Sequence, residues 1–137
     1  MFQSLPLLGF ALLLYAGLDL TVTPGATPWY DADQLNVHMM SGDTWRISGG
    51  HMFIALSLAL LFVELVRATR SNSASIMNHA LSVVVFVAAS LLFVTVKGYG
   101  NSTFFLFTAM SFLDFMAGFI ITAATTRRDI SFRGAED

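Results

Sequence analysis

Four apolar runs, each close to the roughly 20 residues that cross a bilayer, constrain this chain more than any other feature. They extend from Phe2 to Val22, Ile47 to Val66, Ile76 to Val96 and Thr103 to Thr126. In lipid the backbone must satisfy its own hydrogen bonds, which leaves helices or closed barrels. Barrel strands would show segments of about ten residues with alternating polarity, and these runs are too long and too uniform. Pro6 falls in a first turn, where its missing N–H costs nothing. The expected fold is therefore all-α: an antiparallel bundle of four transmembrane helices, forming a single integral membrane domain over residues 1–137.

Composition supports the same reading. Hydrophobic residues make up 55% of the chain and charged residues 12%, against about 45–50% and about 25% in soluble domains. So few charges do not coat a water-soluble globule of this size. A net charge of −2 excludes the basic face that nucleic acid requires. Without cysteine there is no disulfide, thiolate metal site, iron–sulfur cluster or thiol nucleophile. The first run lacks a basic flank and Asp19 follows its apolar stretch, so a retained span is expected rather than a cleaved signal.

Orientation follows from the basic residues. Arg67 and Arg70 lie between the second and third spans, and Arg127, Arg128 and Arg133 follow the fourth; Arg46 and Lys97 lie on the opposite side. That places both termini, the 67–75 loop and the 127–137 tail in the cytoplasm. The 23–46 loop and the Lys97–Ser102 turn then face outward. Compactness and the absence of targeting segments favour a multi-pass protein of a bacterial inner membrane. The short Ala68–Ser75 and Lys97–Ser102 connections are expected to pack neighbouring helices antiparallel, with Asn101 or Ser102 capping the fourth. The long loop opens with turn chemistry, Thr-Pro-Gly-Ala-Thr-Pro, and then carries Asp31 and Gln34 at capping-box spacing. This predicts a short interfacial helix to about Met40, stopped near Gly42, with Leu35 and Met39 on one face. Trp29, Tyr30 and Trp45 suit the water–lipid boundary as anchors.

Asp114 is the principal candidate site. An acid at the centre of a span costs on the order of 3 kcal/mol. Helical spacing puts Thr103, Phe107, Ser111, Gly118, Thr122 and Thr125 on its face, which must point at other helices. No basic residue is expected near it in depth. Two chemistries fit: a proton or cation site, or a hydrogen bond to Ser57 or a backbone carbonyl that fixes packing. The second is preferred, because a proton relay usually shows a chain of such groups. Glu64 shares a stripe with Gly50 and Ser57 near the cytoplasmic boundary and is expected to pair with Arg67 and snorkel. An acid flanked by apolar pairs recurs at 62–66 and 112–116, but the two lie at different depths and do not mark a repeat.

Asp19, His51 and Lys97 fall near the outer boundary on three different spans and are a candidate polar cluster. Gly9 with Ala16, Gly50 with Ser57, and Ser82 with Ala89 mark faces where helices approach closely. Phe104, Phe105, Phe112, Phe115 and Phe119 are expected largely off the Asp114 face, toward lipid or a larger partner. His51 and His79 lie near opposite boundaries, so one haem does not take both. His38 with Asp43 or His51 lacks ligand spacing. No cofactor or metal is expected, and His51 with Asp19 is the nearest approach to a catalytic pair. The expected function is that of a non-catalytic accessory or assembly subunit of a larger membrane complex. Its partners would be the lipid bilayer and other membrane subunits or copies of itself, not nucleic acid. The alternative is a homo-oligomeric channel or proton-coupled transporter using Asp114.

Overall fold

A computed structural model describes the backbone of residues 6–68 and 74–133 and the side chains of residues 6–68 and 79–120. Residues 2–5 of the first apolar run, Arg70, and the side chains of Thr122, Thr125, Arg127, Arg128 and Arg133 lie outside this description. The described chain is mostly helical: α1 (Leu7–Asp19), α2 (Gly49–Ala68), α3 (Ala74–Thr95) and α4 (Ser102–Arg133), with strands β1 (Asp33–His38) and β2 (Thr44–Ser48) between α1 and α2. Among the described residues, Gly49–Ala68 and Ser102–Ile120 are long and apolar enough to cross a membrane. Leu7–Asp19 and His79–Thr95 are shorter apolar helices.

Helix limits depart from the apolar runs for local reasons. The first helix ends at Asp19, and Leu20, Thr21 and Val22 close turns onto Ala16, Leu18 and Asp19. The β-branched Thr21, Val22 and Thr23 followed by Pro24 do not extend a helix. Ile47 and Ser48 belong to β2 rather than α2. At the other end α4 continues past Thr126 to Arg133, because arginine sustains a helix beyond the apolar stretch.

The long loop between α1 and α2 forms a β-hairpin, not the expected interfacial helix. Leu35, Val37 and Met39 alternate with Asn36 and His38, a two-residue period. Pairing is antiparallel, with Leu35 opposite Ile47, Val37 opposite Trp45 and His38 opposite Thr44, and a bulge between Asp33 and Leu35. The Met39 N–H donates to Asp43 O at 2.9 Å and the Gly42 N–H to Met39 O at 3.0 Å. Gly42 sits at φ +91°, the left-handed position that closes a three-residue hairpin loop. Gly42 thus turns a hairpin where the sequence suggested a helix stop.

The helices are arranged so that α4 packs most extensively on α3 and then on α2, while α1 bridges α2 and α3. Ring contacts between Phe93 and Phe105 and between Phe86 and Phe112 show α3 and α4 running antiparallel, as their short connection dictates. However, α2 runs parallel to the adjacent α4, since Gly50 lies against Thr103 and Phe53 packs on Phe107. Helices α2 and α3 lack extensive contact among the described residues, contrary to the expectation from their short link. Six residue steps from Ala68 to Ala74 reach about 20 Å when extended, enough to cross the diagonal of a bundle whose neighbouring axes lie about 8–10 Å apart.

The core runs down the middle of this arrangement through Leu8, Ala11, Tyr15, Phe53, Leu61, Val85, Ala89, Phe104, Phe107 and Met110. Phe104 is fully buried, unlike its expected outward position. Phe105, Phe112 and Phe119 are exposed, with Leu13, Leu58, Phe62, Val84, Leu91 and Val94 on the other helices. Polar side chains Ser57, Glu64, Ser82, Ser111 and Asp114 are inside. The bundle is therefore apolar outside and partly polar within.

Gly49 and Gly50 make the α2 start possible. Their N–H groups donate to Ala32 O and Tyr30 O at 3.1 and 3.0 Å. A Cβ on Gly50 would lie 2.8 Å from Tyr30 O and collide with Thr103 Oγ1. Gly50→Val should therefore lower stability by about 1–3 kcal/mol, the usual cost of overpacking. Thermal unfolding of the detergent-solubilised protein followed by helical circular dichroism measures this; an unchanged midpoint would show that α2 and α4 are not this close.

Candidate functional site

Glu64 of α2 and Asp114 of α4 are both buried, at 3% and 5% exposure. Their partners differ from those expected. Asp114 accepts a hydrogen bond from Ser82 Oγ of α3 at 2.5 Å, not from Ser57. This bond engages one of the two carboxylate oxygens and ties α4 to α3. One turn further along α4, Gly118 is covered by the His79 ring, against which any Cβ would collide. A basic residue therefore does lie close to Asp114 in depth, reached because α3 and α4 run antiparallel.

Glu64 turns inward instead of snorkelling outward with Arg67. Its Oε2 accepts the N–H groups of Leu7 at 2.9 Å and Leu8 at 3.3 Å. The N-cap residue of α1 is Pro6, which provides no side-chain cap. Unpaired donors and the positive end of the helix dipole collect there. A carboxylate from α2 replaces the missing local cap and fixes where α1 starts against its neighbour.

Besides Ser82, four helical hydroxyls are satisfied within their own helix. Ser90, Thr95, Thr108 and Ser111 donate to the carbonyls of Phe86, Leu91, Phe104 and Phe107, four residues back in each case. This return bond satisfies a helical hydroxyl locally. Ser57 is different: it is fully buried, and its Oγ has no hydrogen-bond partner.

At the hairpin end of the bundle, Asp19, His51 and Lys97 do not form one cluster. His51 completes a reciprocal cap with Ser48: its N–H donates to Ser48 Oγ at 3.4 Å, and its Nδ1 accepts the Ser48 N–H at 3.1 Å. This is capping-box geometry with histidine in the usual Glu position. The Asp19 carboxylate comes within 3.9 Å of where a Cβ on Gly98 would lie, so it reaches the α3–α4 turn beside Lys97 without forming an ion pair. Trp29 and Tyr30 are half-buried and pack at 5.0 and 6.5 Å, centroid to centroid, around Tyr15. Trp45 stands exposed on the hairpin.

Tyr15, Ser82 and Asn101 carry more of the structure than their sequence context suggested. Tyr15 has no exposed surface and meets Phe53, Tyr99 and Phe104 at 5.2, 5.4 and 4.7 Å. Asn101 Oδ1 accepts the Phe104 N–H at 2.9 Å, capping α4, while its Nδ2 donates to Tyr15 OH at 2.8 Å. A tyrosine in mid-helix and an asparagine in a glycine-flanked turn give no sign that they will meet. Among the described residues, no three histidine, aspartate or glutamate side chains converge in a way that would hold a metal. Comparisons with protein families, curated proteins and solved structures give no match for the chain.

Two measurements test this geometry. Glu64→Leu should cost about 1–3 kcal/mol, because it strands two helix donors, whereas Glu64→Gln retains an acceptor and should lose less. Equal losses in chemical unfolding would contradict the capping role. Tyr30 and Tyr99 ionise above their usual value of 10.0, chiefly because burial penalises the phenolate, with Asp31 and Asp19 adding repulsion at Tyr30 and Asp19 at Tyr99. Raised folded-state values mean that their contribution to stability is complete below about pH 10 and lost as pH rises through those values. A tyrosinate absorbance titration of the folded protein should therefore run late relative to the unfolded chain.

Proposed function

We propose that this protein is a multi-pass membrane subunit, non-catalytic, that assembles into a larger complex. The topology has four spans, with both termini and the 67–75 loop cytoplasmic and the hairpin on the outer side of a cell inner membrane. The apolar exterior and the two long apolar helices support membrane insertion. The basic residues at 67, 70, 127, 128 and 133 support this orientation.

The observation that carries the subunit reading is how the interior acids are used. Asp114 is tied to Ser82 on a neighbouring helix, and Glu64 caps another. Each does architectural work within one protomer. Outside the core, α4 presents Phe105, Phe112 and Phe119, and the hairpin exposes Leu35, Val37 and Trp45. Such surfaces suit docking by shape against other membrane subunits. A second reading, a homo-oligomeric channel or proton-coupled transporter, draws on the proximity of His79 and Ser82 to Asp114.

Extraction from native membranes in mild detergent, followed by mass spectrometry of what co-purifies, separates these readings. Stoichiometric heterologous membrane proteins are expected. An isolated homo-oligomer would count against the subunit reading. A pH-driven flux in reconstituted vesicles, abolished by Asp114→Asn in a correctly assembled protein, would replace it with the transporter.

A further inference from the structure

The hairpin between α1 and α2 has a polar and an apolar face, and its bulge completes the separation. Successive side chains of a strand point to opposite sides, so Asp33 and Leu35 would share a face in a regular β1. Instead Asp33 opposes Ser48 while Leu35 opposes Ile47, with Gln34 as the extra residue. The shift turns Asp33 away from Leu35 and onto the face of Asn36, His38, Thr44 and Arg46. That face completes contacts of its own. Asp33 lies 4.0 Å from Arg46, and Thr44 Oγ1 shares a hydrogen bond of 3.1 Å with His38 Nδ1. The opposite face carries Leu35, Val37, Trp45 and Ile47, with Val37 paired to Trp45 and Met39 at its tip. Leu35, Val37, Met39 and Trp45 remain between 43% and 54% exposed.

A two-stranded ribbon is marginal by itself, and three features identify lipid as the cover for its apolar face. The first is how the ribbon is mounted. Strand β2 ends at Ser48 and α2 begins at Gly49, while the N–H groups of Gly49 and Gly50 donate to Ala32 O and Tyr30 O. The ribbon is thus fixed, without a linker, to the end of a helix long and apolar enough to cross a membrane. The second is continuity of surface. Gln34, at the bulge, lines a cleft with Leu14 and Leu18 of α1 and Met52 and Leu56 of α2. Leu14, Met52 and Leu56 are exposed, so the apolar exterior of the helices reaches the base of the ribbon. The third is chemistry: tryptophan favours the water–lipid boundary, and interfacial elements bury one apolar face there while keeping a polar face in water. Charge supplies no alternative attraction, because Asp31, Asp33 and Asp43 outnumber Arg46 along residues 31–46 and anionic headgroups do not draw such a segment down.

We infer that the hairpin lies on the bilayer surface, with Leu35, Val37, Trp45 and Ile47 at the boundary of headgroups and acyl chains and with Asp33, His38 and Arg46 toward water. The inference rests on the multi-pass membrane reading and narrows it: the apolar face of the hairpin takes lipid, and the phenylalanines of α4 are left for subunits. Seating in lipid gives the ribbon the apolar burial that two strands do not generate between themselves. It also holds the start of α2 at the level of the membrane boundary.

The test uses the purified full chain reconstituted in phosphatidylcholine vesicles, with the Trp45 signal taken as the emission lost in Trp45→Phe; Trp29, the other tryptophan, is common to both proteins. Trp45 should emit at shorter wavelength than a water-exposed indole and resist iodide supplied on both sides of the membrane. It should lose emission strongly to lipids brominated near the headgroup and less to lipids brominated at the chain end. Val37→Asp should restore iodide access, whereas Asn36→Ser, on the polar face, should change nothing. Adding phosphatidylglycerol or salt should leave the signal as it is; seating that requires anionic lipid overturns the inference, because contact would then run through Arg46. Flotation with the vesicles after an alkaline wash checks the membrane reading separately. A protein that floats, but whose Trp45 is open to iodide and blind to both brominated lipids, overturns the seating alone, and a protein stripped by the wash overturns both. A Trp45 shielded in native membranes but exposed in the vesicles also overturns it, and assigns the face to a protein partner.

Discussion

A polar group withdrawn from water must find its partner inside the protein, and the arrangement of these helices follows from that constraint. Leaving a buried donor or acceptor unmade costs more than an average hydrogen bond returns. Helix α1 begins at a proline-led end with no cap of its own, so its position depends on Glu64 of α2. Helix α4 places a carboxylate in the interior, so its pairing with α3 depends on Ser82. These two contacts join α1 to α2 and α3 to α4, and close packing at Gly50 and Gly118 brings α4 against α2 and α3. Apolar contacts could be made in many registers; the carboxylates select one.

The hairpin end of the bundle uses aromatic packing for the same purpose. Tyr15 carries a hydroxyl into a site with no exposure, and Asn101 donates to it from the α3–α4 turn. The same side chain caps α4, so one residue fixes both the start of a helix and the depth of a tyrosine. Around this pair the rings of Trp29, Phe53, Tyr99 and Phe104 lie 4.7 to 5.4 Å from Tyr15, in the edge-on and tilted geometries that aromatic pairs prefer. The loop before the hairpin is held by this cluster through Trp29 and Tyr30. The protruding strands can then present Trp45 and Val37 outward without having to stabilise themselves, which a two-stranded ribbon does poorly.

Much of the helical framework was legible in the sequence, because apolar periodicity and length are local properties. The site was legible only in part. Asp114 stands out by its cost in an apolar run, but its partner does not, since the relative depth of Ser82 depends on how α3 and α4 slide against each other. Glu64 invited pairing with Arg67 because the two are three residues apart, and nothing local says that a helix beginning at Pro6 needs its carboxylate more. In the loop between α1 and α2, Asp31 and Gln34 have capping-box spacing, yet the alternation of Leu35, Val37 and Met39 and the left-handed turn at Gly42 favour strands. Ser48 and His51 did carry a capping pattern, with histidine in the place usually held by glutamate or glutamine.

Ser57 is where the constraint and the sequence disagree most sharply. Four other helical hydroxyls return their protons to a carbonyl one turn back, and Ser57 does not, although the same geometry is open to a serine at any interior helical position. Alanine would fill nearly the same volume with no polar group to satisfy and with better helix propensity. A small residue is required there by the close approach of α2 and α4, but smallness does not require a hydroxyl. Packing therefore accounts for the small size of residue 57 but not for its oxygen, which is fully buried without a hydrogen-bond partner.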